Sequence, residues 1–168
     1  MTKPTLDYIT ATIAQKIVKI IGEPVKDKKT VEKDTLENLA TKTLGVLQSQ
    51  GIYAAALFLM TKLGDIKDIK DNNMSAEGRC ASEILSWLHT LANTKTISNF
   101  EPDKYEPTIH YTQVPHKKDE ILKNIASITS EDLEELLMVR TIWEQLLIYV
   151  RYHAKAAQKS NQQNSTEE

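Results

Sequence analysis

Apolar residues recur at spacings of three and four along most of the chain, and sustained alternation of polar and β-branched residues is nearly absent. The pattern predicts an all-α fold, a compact bundle of five to six helices with the longest at the C-terminus. A first helix is expected from about Thr5 to Ile21, with Leu6, Ile9, Ile13, Ile17 and Ile20 as its stripe and Thr5 as N-cap; Gly22 and Pro24 end it. After a lysine-rich turn at 26–29, a second runs from about Thr30 to Ser49 with Leu36, Leu39, Ala40, Leu44 and Leu47 on one face, and Gly51 breaks it. The third, Ile52 to Leu63, is almost wholly apolar and is expected at the centre of the bundle, closed by Gly64 at C-prime.

Asp65 to Asn73 mixes acids and lysines without a stripe and reads as a solvated loop. Ser75 is placed to cap a fourth helix whose face is Cys80, Ile84, Trp87, Leu88 and Leu91. From 93 to 115 the period collapses around Pro102, Pro107 and Pro115, which marks a proline-containing loop or insertion with no sustained helix. The period returns at Ile121, Leu122 and Ile125. Thr129 or Ser130 is then expected to open the last helix, with Glu131 and Asp132 in its first turn and Leu133, Leu136, Leu137, Trp143, Leu147, Val150 and Ala154 as its core stripe. Residues 1–157 form one helical domain on this reading, and 158–168, rich in Gln, Asn and Ser, is a disordered tail.

With 168 residues, a single core can form without a metal or disulfide staple, and one cysteine, Cys80, cannot make an internal bridge. No apolar run reaches the ~20 residues that span a bilayer, and the N-terminus lacks a signal-peptide core, so a cytoplasmic protein with no membrane partner is expected. The net charge of −2 is too small for a chain that grips nucleic acid by itself through counterion release. Its distribution matters more: residues 1–30 carry six lysines against three acids, and residues 129–168 seven acids against four bases.

The candidate chemistry is sparse. His89, His110, His116 and His153 have no metal-ligand spacing; His89 reads as a half-exposed structural histidine, and Cys80 as a packing residue. The three arginines, Arg79, Arg140 and Arg151, stand at no spacing to a histidine that suggests a helical ribonuclease, and there is no phosphate loop or nucleophile elbow. An enzyme, a metal, a cofactor and a small-molecule substrate are therefore not expected. Two features are candidates for binding. Lys16, Lys19, Lys26, Lys28, Lys29, Lys33 and Lys42 form either a phosphate-facing patch or an ordinary solvated face. The last helix carries Met138, Ile142 and Tyr149 outside its core stripe, so it is either central in the bundle or covered by a protein partner.

The segment Leu44-Gly-Val-Leu-Gln-Ser-Gln-Gly-Ile-Tyr-Ala-Ala-Ala-Leu-Phe-Leu59 resembles the small subunit of the type III-B CRISPR effector complex, the Cmr module. The matching features are Gln50-Gly51-Ile52 after an apolar helix, and Leu57-Phe58-Leu59 closing a small-residue helix. The acidic start at Glu131 and Asp132, the apolar middle around Trp143 to Leu147 and the stretch Tyr152 to Ala156 are similar to the family's closing helix. Gln50 stands where the family usually has Asn, and Tyr53-Ala54 where Gly-Gln often follows. The likeness is strong over 30–63 and looser over 75–92 and 119–157. It implies a helical, non-catalytic RNA-binding subunit of an antiviral defence complex. Such a subunit stacks with copies of itself as a minor filament beside other subunits and helps hold guide RNA and target RNA. The alternative from the residues alone is a helical adaptor or regulator that dimerises through its C-terminal helix without nucleic acid.

Overall fold

A computed structural model describes residues 4–23, 33–64, 74–92, 101 and 104–163. Among these are six α-helices and no strand: α1 (Leu6–Gly22), α2 (Lys33–Gln50), α3 (Ile52–Met60), α4 (Ala76–Leu91), α5 (Lys118–Glu131) and α6 (Leu133–Gln163), with a 3₁₀ helix at Tyr111–Lys117 before α5. The lysine turn at 26–29 and the loop at 65–73 lie outside the described residues.

The helices form where the apolar period places them, and their ends follow local chemistry. Thr5 caps α1 by accepting from the Tyr8 amide at 3.3 Å, and Ser75 caps α4 by accepting from the Gly78 amide at 3.0 Å. Ile9, Ile13 and Ile17 are buried on α1 as expected, but Ile21 takes the interior place assigned to Ile20, with Thr10 and Ala14 beside it. On α2, Leu36, Leu39, Ala40 and Leu47 are buried, while Leu44 packs at the edge of the core. Gly51 turns the chain from α2 into α3 with φ 89° and ψ −177°, a conformation that only glycine adopts without strain. A Cβ there would meet nothing within 4 Å, so Gly51→Ala is a backbone effect alone. It is expected to cost about 1–3 kcal/mol in a denaturant titration.

Helix α3 ends at Met60 with Thr61 as its C-cap, so Gly64, at φ 78°, lies beyond the helix rather than at its C-prime position. Nor is α3 the centre of the bundle: Tyr53 and Leu57 are 40% and 41% exposed. That place belongs to α4, where every residue from Gly78 to Leu91 is buried. It contacts α1, α2, α3, α6 and the 3₁₀ helix. The most extensive packing joins α2 and α1 to α6. Helix α2 runs antiparallel to α6: Lys33 Nζ donates to the Ala157 carbonyl at 3.2 Å and Arg140 donates to the Gln48 carbonyl at 2.9 Å. Helix α1 starts beside the middle of α6, where Gln145 and the Tyr149 hydroxyl both donate to Asp7.

The closing helix differs from expectation at both ends. Its N-terminal breaker is Asp132, whose Oδ1 accepts from the Glu134 amide at 2.8 Å; Thr129, Ser130 and Glu131 belong to α5, and the first-turn acids are Glu134 and Glu135. Its core residues are Val139, Ile142, Trp143, Leu146, Leu147, Val150 and Ala154, whereas Leu133 and Leu137, expected inside, face solvent. At the other end it continues to Gln163, past the start of the expected disordered tail, and Gln158 donates to Glu37 at 3.2 Å. No helix among the described residues is long and apolar enough to cross a membrane.

Candidate interaction surfaces

The described lysines are addressed to different neighbours. Lys16 is half-buried, and its Nζ donates to the Tyr105 carbonyl at 3.0 Å, tethering the proline-containing segment to α1. Lys33 is bound to the end of α6 in the same way. Lys19 and Lys42 are exposed, and Lys42 lines a shallow depression with Thr35, Asn38 and the first residues of α4. Lys26, Lys28 and Lys29 lie outside the described residues. Lys19 and Lys42 are thus the described members with a free surface to offer, while Lys16 and Lys33 hold the fold as well.

The three apolar candidates on α6 also separate. Ile142 is wholly buried in the chain's own core, so it is no surface contact: it shares the stripe of Val139, Leu146 and Val150. Tyr149 is partly buried, with its hydroxyl committed to Asp7. Met138 is 46% exposed, and beside it Leu133 and Leu137 are 68% and 52% exposed. Leu133 and Leu137, four apart, share one face of the first turns of α6, and Met138 lies about 100° round the helix from Leu137 at the edge of that face. This is an unpartnered apolar surface of the kind that marks a protein contact.

A third surface lies on the polar side of α4. Residues 79, 82, 83, 86, 89 and 90 share the polar side of α4, which on an amphipathic helix would face water. Instead all six are buried. The segment from Lys104 to Lys117 supplies much of their cover. Its Thr108 amide donates to Thr90 Oγ1 at 2.9 Å, and the Tyr111 ring centroid lies 5.9 Å from the Arg79 guanidinium carbon. Ile109, Val114 and Pro115 of the segment are themselves buried. Part of the expected irregular loop is therefore the 3₁₀ helix, opened by His110, whose Nδ1 accepts from the Thr112 amide. Arg79 also donates to the Ile20 carbonyl at 2.7 Å and the Glu23 carbonyl at 3.4 Å, which satisfies the last turn of α1. His89 is buried rather than half-exposed, with Nε2 3.0 Å from the Asn124 amide of α5. The signal for this cover lay in the loop itself, because Tyr105, Ile109, Tyr111 and Val114 are too apolar for a solvated connection.

Burial sets the electrostatics of α4. The Glu83 carboxyl, which accepts from Trp87 Nε1 at 3.0 Å, is pushed up to about 7 by loss of water. Burial holds His89 below its ordinary value, with Glu120 opposing and Lys117 assisting. It also drives the Cys80 thiol up to about 12, so Cys80 carries no reactive thiolate at neutral pH. Among the described residues no group of three or more His, Cys, Asp or Glu side chains is placed to hold a metal.

The fold and these surfaces define a helical bundle with an exposed apolar surface at the start of α6, separated surface lysines and a covered polar side on α4. Comparison with protein-family models, with curated proteins and with solved structures finds no match for this chain.

Proposed function

We propose that the chain is the non-catalytic small subunit of a type III-B CRISPR ribonucleoprotein, acting in the cytoplasm. It would stack with copies of itself and bind other subunits of the complex, helping to hold guide RNA and target RNA in defence against invading nucleic acid. The observation that carries this reading is the apolar surface of Leu133, Leu137 and Met138, which a lone chain leaves uncovered and an assembly would bury. The resemblance over 44–59 supplies the kind of assembly, and its Gln50-Gly51-Ile52 signature coincides with the glycine-dependent corner between α2 and α3. Exposed Lys19 and Lys42 are suited to phosphate contacts, which carry no base information and so tolerate any guide sequence.

The test is an affinity pull-down of the tagged chain from its native cell, with the bound RNA sequenced and the bound proteins identified. Short repeat-derived guide RNAs arriving with several partner subunits support the reading. Recovery of the chain without RNA would overturn it in favour of a helical adaptor. In the same assay Leu137→Glu combined with Met138→Glu is expected to reduce recovery of partner proteins at least about tenfold, while stability of the isolated chain changes by less than about 1 kcal/mol. Undiminished recovery would remove the apolar patch from the assembly.

A further inference from the structure

The polar side of α4 and the segment above it form an incomplete fit. The Lys104–Lys117 segment is held by the Lys16 bond to Tyr105, by the Thr108–Thr90 bond, by the contact of Tyr111 with Arg79 and by the burial of Ile109, Val114 and Pro115. Beneath and beside it, Arg79 Nε, Ser82 Oγ and His89 Nδ1 are buried without a hydrogen-bond partner. Glu83, 1% exposed, stands among them. Water would satisfy every one of these groups, so the closed arrangement gives up polar solvation that an open one would regain.

We propose that the 104–117 segment is a pH-gated cover: it closes over the polar side of α4 while Glu83 is neutral and lifts when that carboxyl takes its charge. The charged groups that act on Glu83 among the described residues are Arg79 of its own helix, which favours the charge, and Glu106 of the cover, which opposes it. From α1, Lys16 faces the cover's backbone rather than Glu83. Lys117, at the end of the 3₁₀ helix, and Glu120 of α5 act on His89.

The direction follows from linkage. A carboxyl returned to water titrates near 4.5, whereas under the cover Glu83 titrates at about 7. The closed form therefore binds the proton more tightly, and closure weakens as pH rises from 4.5 through about 7 and levels off above that. His89 works in the opposite sense, since its buried form resists protonation and closure weakens as pH falls through 6.5. Comparing two proteins that share His89 cancels this second contribution.

The experiment is hydrogen–deuterium exchange of the full chain at several pH values from about 6 to 8, corrected for intrinsic exchange, on wild type and Glu83→Gln. The protection of amides in 104–117 in wild type, divided by that in the variant, is expected to fall about tenfold across this range. The amides of α4 should keep their protection. A ratio that stays flat would overturn the proposal, as would loss of α4 protection in step with the cover, which would mean global unfolding. Glu106→Gln supplies a check that does not disturb the interior, since Glu106 is exposed. It is expected to raise cover protection at the upper pH about two- to threefold, and no change there would also count against the cover.

Discussion

Replacement of Trp143 by Ala is expected to lower the unfolding free energy by about 3–5 kcal/mol, the range for emptying a large buried aromatic site. Trp143 is fully buried and lies in the stripe by which α6 packs into the core. Deleting it opens a cavity in the element that contacts α1, α2, α4 and α5, so the loss is shared by the whole bundle. Urea titration followed by helical circular dichroism measures it, and a loss below about 1.5 kcal/mol would show that the site collapses to fill the space. Trp143→Phe should cost markedly less. The indole Nε1 of Trp143 is buried without a partner, so phenylalanine removes an unsatisfied donor along with the lost volume.

Arg79→Ala is expected to cost about 2–4 kcal/mol, for a different reason. The guanidinium donates to the carbonyls of Ile20 and Glu23, faces the Tyr111 ring and favours the charged form of Glu83. Alanine leaves the end of α1 without these donors inside the protein. The loss should therefore be visible both as a lower urea midpoint and as faster exchange of the last amides of α1. Arg79→Lys should recover only part of it, because an ammonium on a flexible stem cannot reproduce the planar fork that reaches two carbonyls. Full recovery by lysine would mean that charge alone matters here.

The helices were legible because their apolar residues repeat at the period of the α-helix, and the caps Thr5 and Ser75 were legible because a hydroxyl stood before a periodic run. The start of α6 was not, since 127–135 offers several capping side chains in succession. Ser127, Thr129 and Ser130 instead bond back to the carbonyls of Asn124, Ala126 and Ser127 and continue α5, which leaves Asp132 as the breaker. The central helix is hidden in the sequence for a related reason. Composition makes α3 the most apolar segment, but burial depends on what surrounds a helix, and α4 is enclosed despite Arg79, Glu83 and His89 on its polar side. In the lysine set, charge could be read from sequence, but the carbonyls that engage Lys16 and Lys33 lie 89 and 124 residues away. Only the folded chain brings them together.

The dominance of α6 packing also shapes how the chain folds. The bonds from α6 to Asp7 and Lys33 bridge 142 and 124 positions along the chain. Closing such long loops costs entropy before the contacts form, so folding is expected to be slow for an all-helical protein of this size. On the ribosome, α1 and α2 emerge early with Ile13, Ile17, Leu36 and Leu47 uncovered, and they wait for the last helix before their apolar faces can close. The nascent chain is therefore most exposed to aggregation and to chaperone capture just before α6 is complete.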